Sequence, residues 1–260
     1  MPALTGTPSD DVPEILATGR TDVTTIFVSM SARNPEGRDA EYIEWHGLDH
    51  EAEQHRLPTL RASRRLVSTP ACRAARAASG GQYDEIDHLM TYFFADVAGL
   101  EAFETLSLAL TNAGRNAYRL GQPFHASIPK MPLLELAGYH LDGTAAAPRI
   151  KVGADVLPWW PARGVYVLLE RGEALPTQLI AVDGVAGAWW GTGIPINAPH
   201  PNSDNPGLRI TYLFLDGEPA EAAERLRPVL QHRWDSLPVT PLLAAPFHTV
   251  VRHDWGRYLP

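Results

Sequence analysis

One short block is written twice in this chain of 260 residues. Thr91-Tyr92-Phe93-Phe94-Ala95-Asp96 returns as Thr211-Tyr212-Leu213-Phe214-Leu215-Asp216, an offset of 120 positions, and Ala98 to Ala102 and Glu218 to Ala222 follow at the same offset. Each copy is an apolar, β-prone run that ends on an Asp suited to capping a helix. An Ala/Glu/Leu-rich stretch at helical spacing comes next. A period this long implies two domain-sized copies, not a solenoid of small repeats.

The apolar content of 45% supports a real core in a chain of this length. The formal charge of -8 argues against nucleic acid or an anionic membrane as partner, because both require an excess of Lys and Arg. A small apolar or aromatic molecule is the expected ligand, and a homodimer is left open. Cys72 is the single cysteine, so an intrachain disulfide, a Cys-based zinc site and an iron–sulfur site are all ruled out. No apolar run reaches membrane-spanning length. Met1 to Arg20 lacks the basic start and apolar stretch of a signal peptide, so the expected compartment is the cytoplasm.

Read for periodicity, residues 1–22 form an N-terminal arm, 23–142 a first unit, 143–163 a linker and 164–260 a second unit. In the first unit Thr24–Ser31 is a strand and Asp39–Arg56 a helix closed by Pro58; Leu60–Ser68 and His88–Ala95 are strands, Val97 to about Arg115 is a helix, and Pro132–Leu141 is a strand. Ala71–Gln82 reads equally well as a loop or a short helix. The order is βαββαβ, which is ferredoxin-like. In the second unit Gly164–Glu170, Val185–Ile194, Leu208–Leu215 and Phe247–Trp255 are the expected strands. Glu218–Trp234 is the long helix, and only a short one fits between Ala174 and Val182. Pro195–Pro206 is a long Pro/Asn loop of the kind that serves as a lid or is disordered. The fold class is therefore α+β, two tandem ferredoxin-like halves forming an intrachain α/β barrel.

Glu41-Tyr42-Ile43-Glu44-Trp45-His46-Gly47-Leu48-Asp49-His50, with Leu57-Pro58-Thr59-Leu60-Arg61-Ala62 after it, resembles the first-helix signature of the dimeric α/β-barrel superfamily, in particular its EthD-like branch. Trp45 and His50 match the aromatic residue and the His five positions later, and Pro58 matches the turn proline. Ala52 and Thr59 depart from the proline and glycine usual there. The resemblance covers residues 24–142 by sequence and 164–256 by architecture. It implies two sheets packed into one barrel. Because Thr177–Val182 has no His, it also implies one principal site per chain.

On a helix His46 and His50 share a face, with Glu53 next along it, while Tyr42, Trp45 and Asp49 line a neighbouring face. A His beside a carboxylate is a base poised near neutrality. His50, His46 and Asp49 are thus the candidate catalytic residues; Trp45, Tyr42, Tyr92 and Phe94 are the candidate substrate-binding residues. The His46-x-x-x-His50 spacing also suits a metal with Glu53 as third ligand, but ten histidines make a chance pair easy, and no metal is expected. Trp189 and Trp190 are expected on opposite faces of one strand. Arg61, Arg64, Arg65, Arg73 and Arg76 read as a solvated edge or as holders of a ligand carboxylate. His140 and His253 are expected near the ends of the two fourth strands in structural roles.

The leading functional reading is a small-molecule enzyme without an organic cofactor. It does acid/base chemistry of the isomerase, cyclase, dehydratase or cofactor-free monooxygenase type, with His50 as proton shuttle. Two alternatives stand beside it. One is a haem-binding duplicated barrel with His232 as the suspected ligand; the other is a non-catalytic binding protein.

Overall fold

The computed structural model describes residues 22–113, 118–119, 122–123, 132–150, 152–196 and 206–260. The architecture is mixed α+β with one large antiparallel sheet and few helices. Its long strands are β1 (Thr25–Ser31), β2 (Leu60–Val67), β4 (His88–Phe94), β7 (Leu133–Ala146), β8 (Gly164–Arg171), β9 (Val185–Ile194), β10 (Leu208–Leu215) and β11 (Thr240–Thr249). The two-residue strand β3 (Ala78–Ser79) adds to β11, and β5 (Tyr118–Arg119) pairs with β6 (Gln122–Pro123) apart from the main sheet. Hydrogen bonding runs β2-β4-β1-β7-β9-β10-β8-β11. β11 pairs in turn with β2, His248 opposite Val67 and Thr249 opposite Leu66, which brings the sheet round on itself.

Alternation along the strands divides their side chains between the two faces of the sheet. Ile26, Val28, Leu89, Phe93, Val167, Leu169, Trp189, Ile210, Tyr212, Phe214 and Phe247 belong to one buried cluster inside the curve. The residues between them point outward, where helices cover them. Over β1 and β4 lie α1 (Asp39–Trp45), a π-helical turn (His46–His50), α2 (Glu51–Gln54) and α4 (Val97–Asn112). Over β8, β9 and β10 lies α5 (Pro219–Ser236), whose Ala222, Ala223, Leu226 and Leu230 pack with Leu213, Leu215 and Trp190. Trp189 and Trp190 thus take opposite faces, as alternation requires.

Several boundaries differ from the sequence reading for physical reasons. β7 continues to Ala146, past the expected start of the linker at Gly143, because β9 offers it a partner as far as Ala146 opposite Gly187. The short helix expected at 174–182 is a single 3-10 turn, Leu179–Ala181. Ala71–Gln82 resolves into α3 (Pro70–Ala74, capped by Thr69), β3 and a 3-10 turn. The last strand is not Phe247–Trp255 but Thr240–Thr249. Pro241 and Pro246 lie within it, each removing a ladder donor, and so disguise it as a loop. Residues 250–260 form turns, with His253 exposed at φ 66°. His140 is exposed on β7. Gly191 is required where β9 meets β7, since a Cβ there would run into the backbone carbonyl of His140. Residues 1–21 of the N-terminal arm lie outside the described residues, as do positions 197–205 of the Pro/Asn loop.

Candidate functional site

The site begins with the turn that launches α1. Gly37 takes φ 70°, and the Asn34 side-chain carbonyl accepts from the Glu36 amide at 2.8 Å. Asp39, buried in the first turn, accepts from the Asn34 amide at 3.0 Å and binds the buried His88 of β4 at 2.7 Å. The helix is thereby pinned to the sheet at its start. After Trp45 it widens into the π turn His46–His50. Four residues of α-helix advance about 400°, so successive i+4 positions drift by about 40°. A wider turn reduces that drift and lines up His46, His50 and Gln54.

These three side chains, with Tyr92 from β4, form a directional hydrogen-bond chain. The Tyr92 hydroxyl donates to Gln54 Oε1 and lies 3.2 Å from His46 Nε2. With its only proton committed to Gln54, the hydroxyl accepts from His46 Nε2–H. The Gln54 amide nitrogen, a donor only, sits 3.0 Å from His50 Nε2, which therefore accepts. His46 is thus the Nε2–H tautomer. Its Nδ1 is enclosed without a partner. The His50 ring stacks on Trp45, with centroids 5.2 Å apart and planes at 16°.

The chain faces a cavity of about 430 Å³ between the outer face of the sheet and the helices. Phe27, Met90, Phe103 and Leu136 make its apolar lining; Tyr42, His46, His50, Gln54, Arg65 and Tyr92 supply polarity. Burial, then the neighbouring Arg65 and His50, hold the His46 pKa well below the ordinary imidazole value. Burial also drives the Tyr92 phenol well above its ordinary value, so it stays protonated. The Arg65 guanidinium lies 5.8 Å over the Tyr42 ring.

Of the residues singled out from sequence, His46, His50, Tyr42 and Tyr92 meet at this cavity. Trp45 is buried behind His50, and Phe94 is fully buried against Phe103; neither lines the cavity. Asp49 is half-buried and does not line it either, because it follows Leu48 around a different side of the turn. Glu53 pairs with Arg56 at 3.0 Å, and the position that reaches His50 is Gln54, a residue the sequence reading passed over. His232 is exposed on α5 beside Ser236.

The arginines are not a uniform solvated edge. Arg61 pairs with Asp22, Arg73 and Arg76 hold the buried Asp87, and Arg64 is 8% exposed. The outer face of β8–β10 offers no comparable histidine cluster among the described residues. Leu179, Ile180 and Trp190 pack there against α5.

No family model matches the chain, and no curated protein matches it in sequence. Solved structures do match in shape. A protein provisionally named a chlorite dismutase superposes with a TM-score of 0.52 at 9% identity, over 92% of this chain and 100% of its own. A provisionally named monooxygenase from Lactobacillus acidophilus NCFM gives a TM-score of 0.44 at 12% identity, over 87% of this chain and 96% of its own. A dye-decolorizing protein from V. cholerae gives 0.41 at 10%, over 86% and 92%. At such identities only the fold follows. The fold shared with the provisionally named chlorite dismutase is a mixed α+β architecture with a large antiparallel sheet.

Proposed function

We propose that the chain is an enzyme that moves protons on an apolar or aromatic small molecule without an organic cofactor, with His50 as the base. The observation that carries this is the chain His46–Tyr92–Gln54–His50 facing an apolar-lined cavity of about 430 Å³, a size ordinary for small-molecule sites. A ligand carbonyl seated beside Arg65 presents its neighbouring C–H to His50. Substrate entry displaces the Gln54 amide, at a cost of about 1 kcal/mol for the lost hydrogen bond. His50 Nε2 takes the proton, the C–H electron pair becomes the enolate double bond, and the negative oxygen faces the Arg65 guanidinium. In a β,γ-unsaturated ketone the enolate is conjugated with the C=C bond, so return of the proton to the γ carbon moves that double bond to the α,β position and completes an isomerisation with no further reactant.

The test is solvent deuterium uptake by aryl ketones shown to bind. Uptake catalysed by the wild type and lowered by about 10² to 10⁴ fold in His50→Ala, at unchanged melting temperature, is expected for a positioned base. Ligands that bind the cavity and protect the fold, yet neither exchange nor react, would establish a binding protein instead.

The haem reading needs an imidazole nitrogen presented to the iron. To take that role His50 would have to release Gln54, the same bond substrate entry breaks, and His46 would have to release Tyr92, while the exposed His232 lines neither cavity. A Soret band after haem supplementation is the result that would favour it.

We also infer a tandem of two βαββαβ units, related to the EthD-like branch. Its support is the order β2-β4-β1-β7 followed by β9-β10-β8-β11, in which the second, third, first and fourth strands of each unit succeed one another.

A further inference from the structure

We propose a second ligand site, for a small aromatic carboxylate, in the larger cavity at the end of the barrel. This cavity, of about 700 Å³, lies where β2, the segment 158–163 and residues 248–258 converge. Its lining carries five arginines, at positions 64, 65, 163, 252 and 257, against the two carboxylates Glu51 and Glu218, in a chain whose formal charge is -8. Both carboxylates are already engaged. Glu51 accepts from Ser63, and Glu218 pairs with His248 at 3.2 Å.

Arg64 is the anchor of this site. It is more than nine-tenths buried, and its guanidinium meets neutral groups: Thr249 Oγ1 at 3.2 Å, the carbonyls of Pro158 and Trp160 at 2.8 Å each, and the face of Phe214 at 5.6 Å. Its Nε, like that of Arg65, is enclosed without a partner, and no carboxylate pairs with either among the described residues. A buried cation without a counter-ion is costly, and an anion entering the cavity offsets that cost. Burial accordingly lowers its pKa to about 10.

The rest of the wall selects the shape of the anion. Trp159, Trp160 and Trp255 line the cavity, and Tyr258 stacks on His248 at 4.1 Å between centroids. Such faces take up a flat ring. Arg163 and Arg252 are exposed at the mouth and make no side-chain ion pair among the described residues, which leaves them available to a carboxylate. His46 and Arg65 line both this cavity and the smaller one, forming a shared partition, but the anion site does not depend on chemistry at His50.

Isothermal titration with 2-naphthoate, 2-naphthamide and inorganic phosphate on the intact chain tests this. Saturable binding of the naphthoate, weakened by salt, with no binding of the neutral amide or of phosphate, is expected. The double variant Arg163→Gln/Arg252→Gln alters only exposed side chains and should weaken the naphthoate by roughly 10-fold or more. His50→Ala should leave it unchanged, which separates this site from the one above. Equal binding of the amide, competition by phosphate alone, or an unaltered affinity in the folded double variant would overturn the proposal.

Discussion

Replacing Tyr92 by Phe removes one oxygen from the centre of the hydrogen-bond chain and little else. Tyr92 is 2% exposed, and its ring packs on Phe103 at 4.8 Å and on Phe27 at 6.3 Å, contacts that Phe retains. No cavity larger than the hydroxyl opens. What is lost is the pairing of two buried groups, the His46 Nε2–H donor and the Gln54 Oε1 acceptor. Leaving buried polar groups unmade costs about 1–3 kcal/mol, and the hydroxyl's own desolvation is no longer incurred, so the net loss falls within that range. For a chain of this size each kcal/mol is worth about 2–4 °C in melting temperature. The more specific reading is the tautomer. In wild type, nitrogen NMR of labelled histidine should show His46 as Nε2–H; in Tyr92→Phe that preference should vanish while His50 loses the amide oriented toward it. A wild-type His46 protonated on Nδ1, or a variant as stable as wild type, would refute the chain's direction and its energetic weight.

Other expectations follow from single contacts. Arg233 binds Glu170 through Nε and Nη2 at 3.1 and 2.8 Å with both side chains buried, so Arg233→Met should cost about 3–5 kcal/mol by stranding the carboxylate, and adding Glu170→Leu should recover most of it in urea melts. Burial lowers the pKa of His46 and of His88, in His88 against the opposing pull of Asp39. A depressed imidazole pKa means that below about pH 6.5 the unfolded chain takes up protons the folded chain refuses. Stability should therefore be full above that value and fall on acidification, by at most about 1.4 kcal/mol per pH unit for each histidine; a urea midpoint unchanged between about pH 7.5 and 5.5 would contradict this. Gly191→Ala should destabilise by about 1–3 kcal/mol, since the atom it meets is a backbone carbonyl that cannot turn aside.

What the sequence disclosed was whatever rests on local pattern. Val185–Ile194 and Leu208–Leu215 are strands at the boundaries alternation indicates, and the spacing of His46 and His50 was enough to pair them on one face. What stayed hidden depends on partners far along the chain or on backbone geometry without a residue signature. Gln54 looked like any polar residue of a solvated helix face until Tyr92 met it. The π turn has no distinguishing composition. Arg64 reaches Thr249 across 185 positions, so nothing near it in sequence marks it as buried. β11 was obscured by its own prolines.

The repeated block itself shows how far a sequence echo can be trusted. Tyr92 and Tyr212 stand at the same place in the repeated block, on β4 and β10, yet they point to opposite faces. Tyr92 is among the outward residues with Phe103, whereas Tyr212 is inside the curve against Phe93. The backbone register explains it. β4 aligns its Phe94 with Thr25 at the start of β1, while β10 aligns Leu215, not Phe214, with Gly164 at the start of β8. The structural offset is therefore one residue longer than the sequence offset, and a slip of one turns every side chain over. Thr91 and Tyr212 accordingly meet inside the barrel, their hydroxyls 3.0 Å apart. The consequence reaches the chemistry. On the outer face of β4 the slip leaves a phenol that can join two histidines and an amide; on the outer face of β10 it leaves Leu213, which packs with Leu226 and Leu230 into a closed apolar layer. Two strands carrying nearly the same six residues thus build one polar cavity and one solid core, and the asymmetry between their outer faces follows from register.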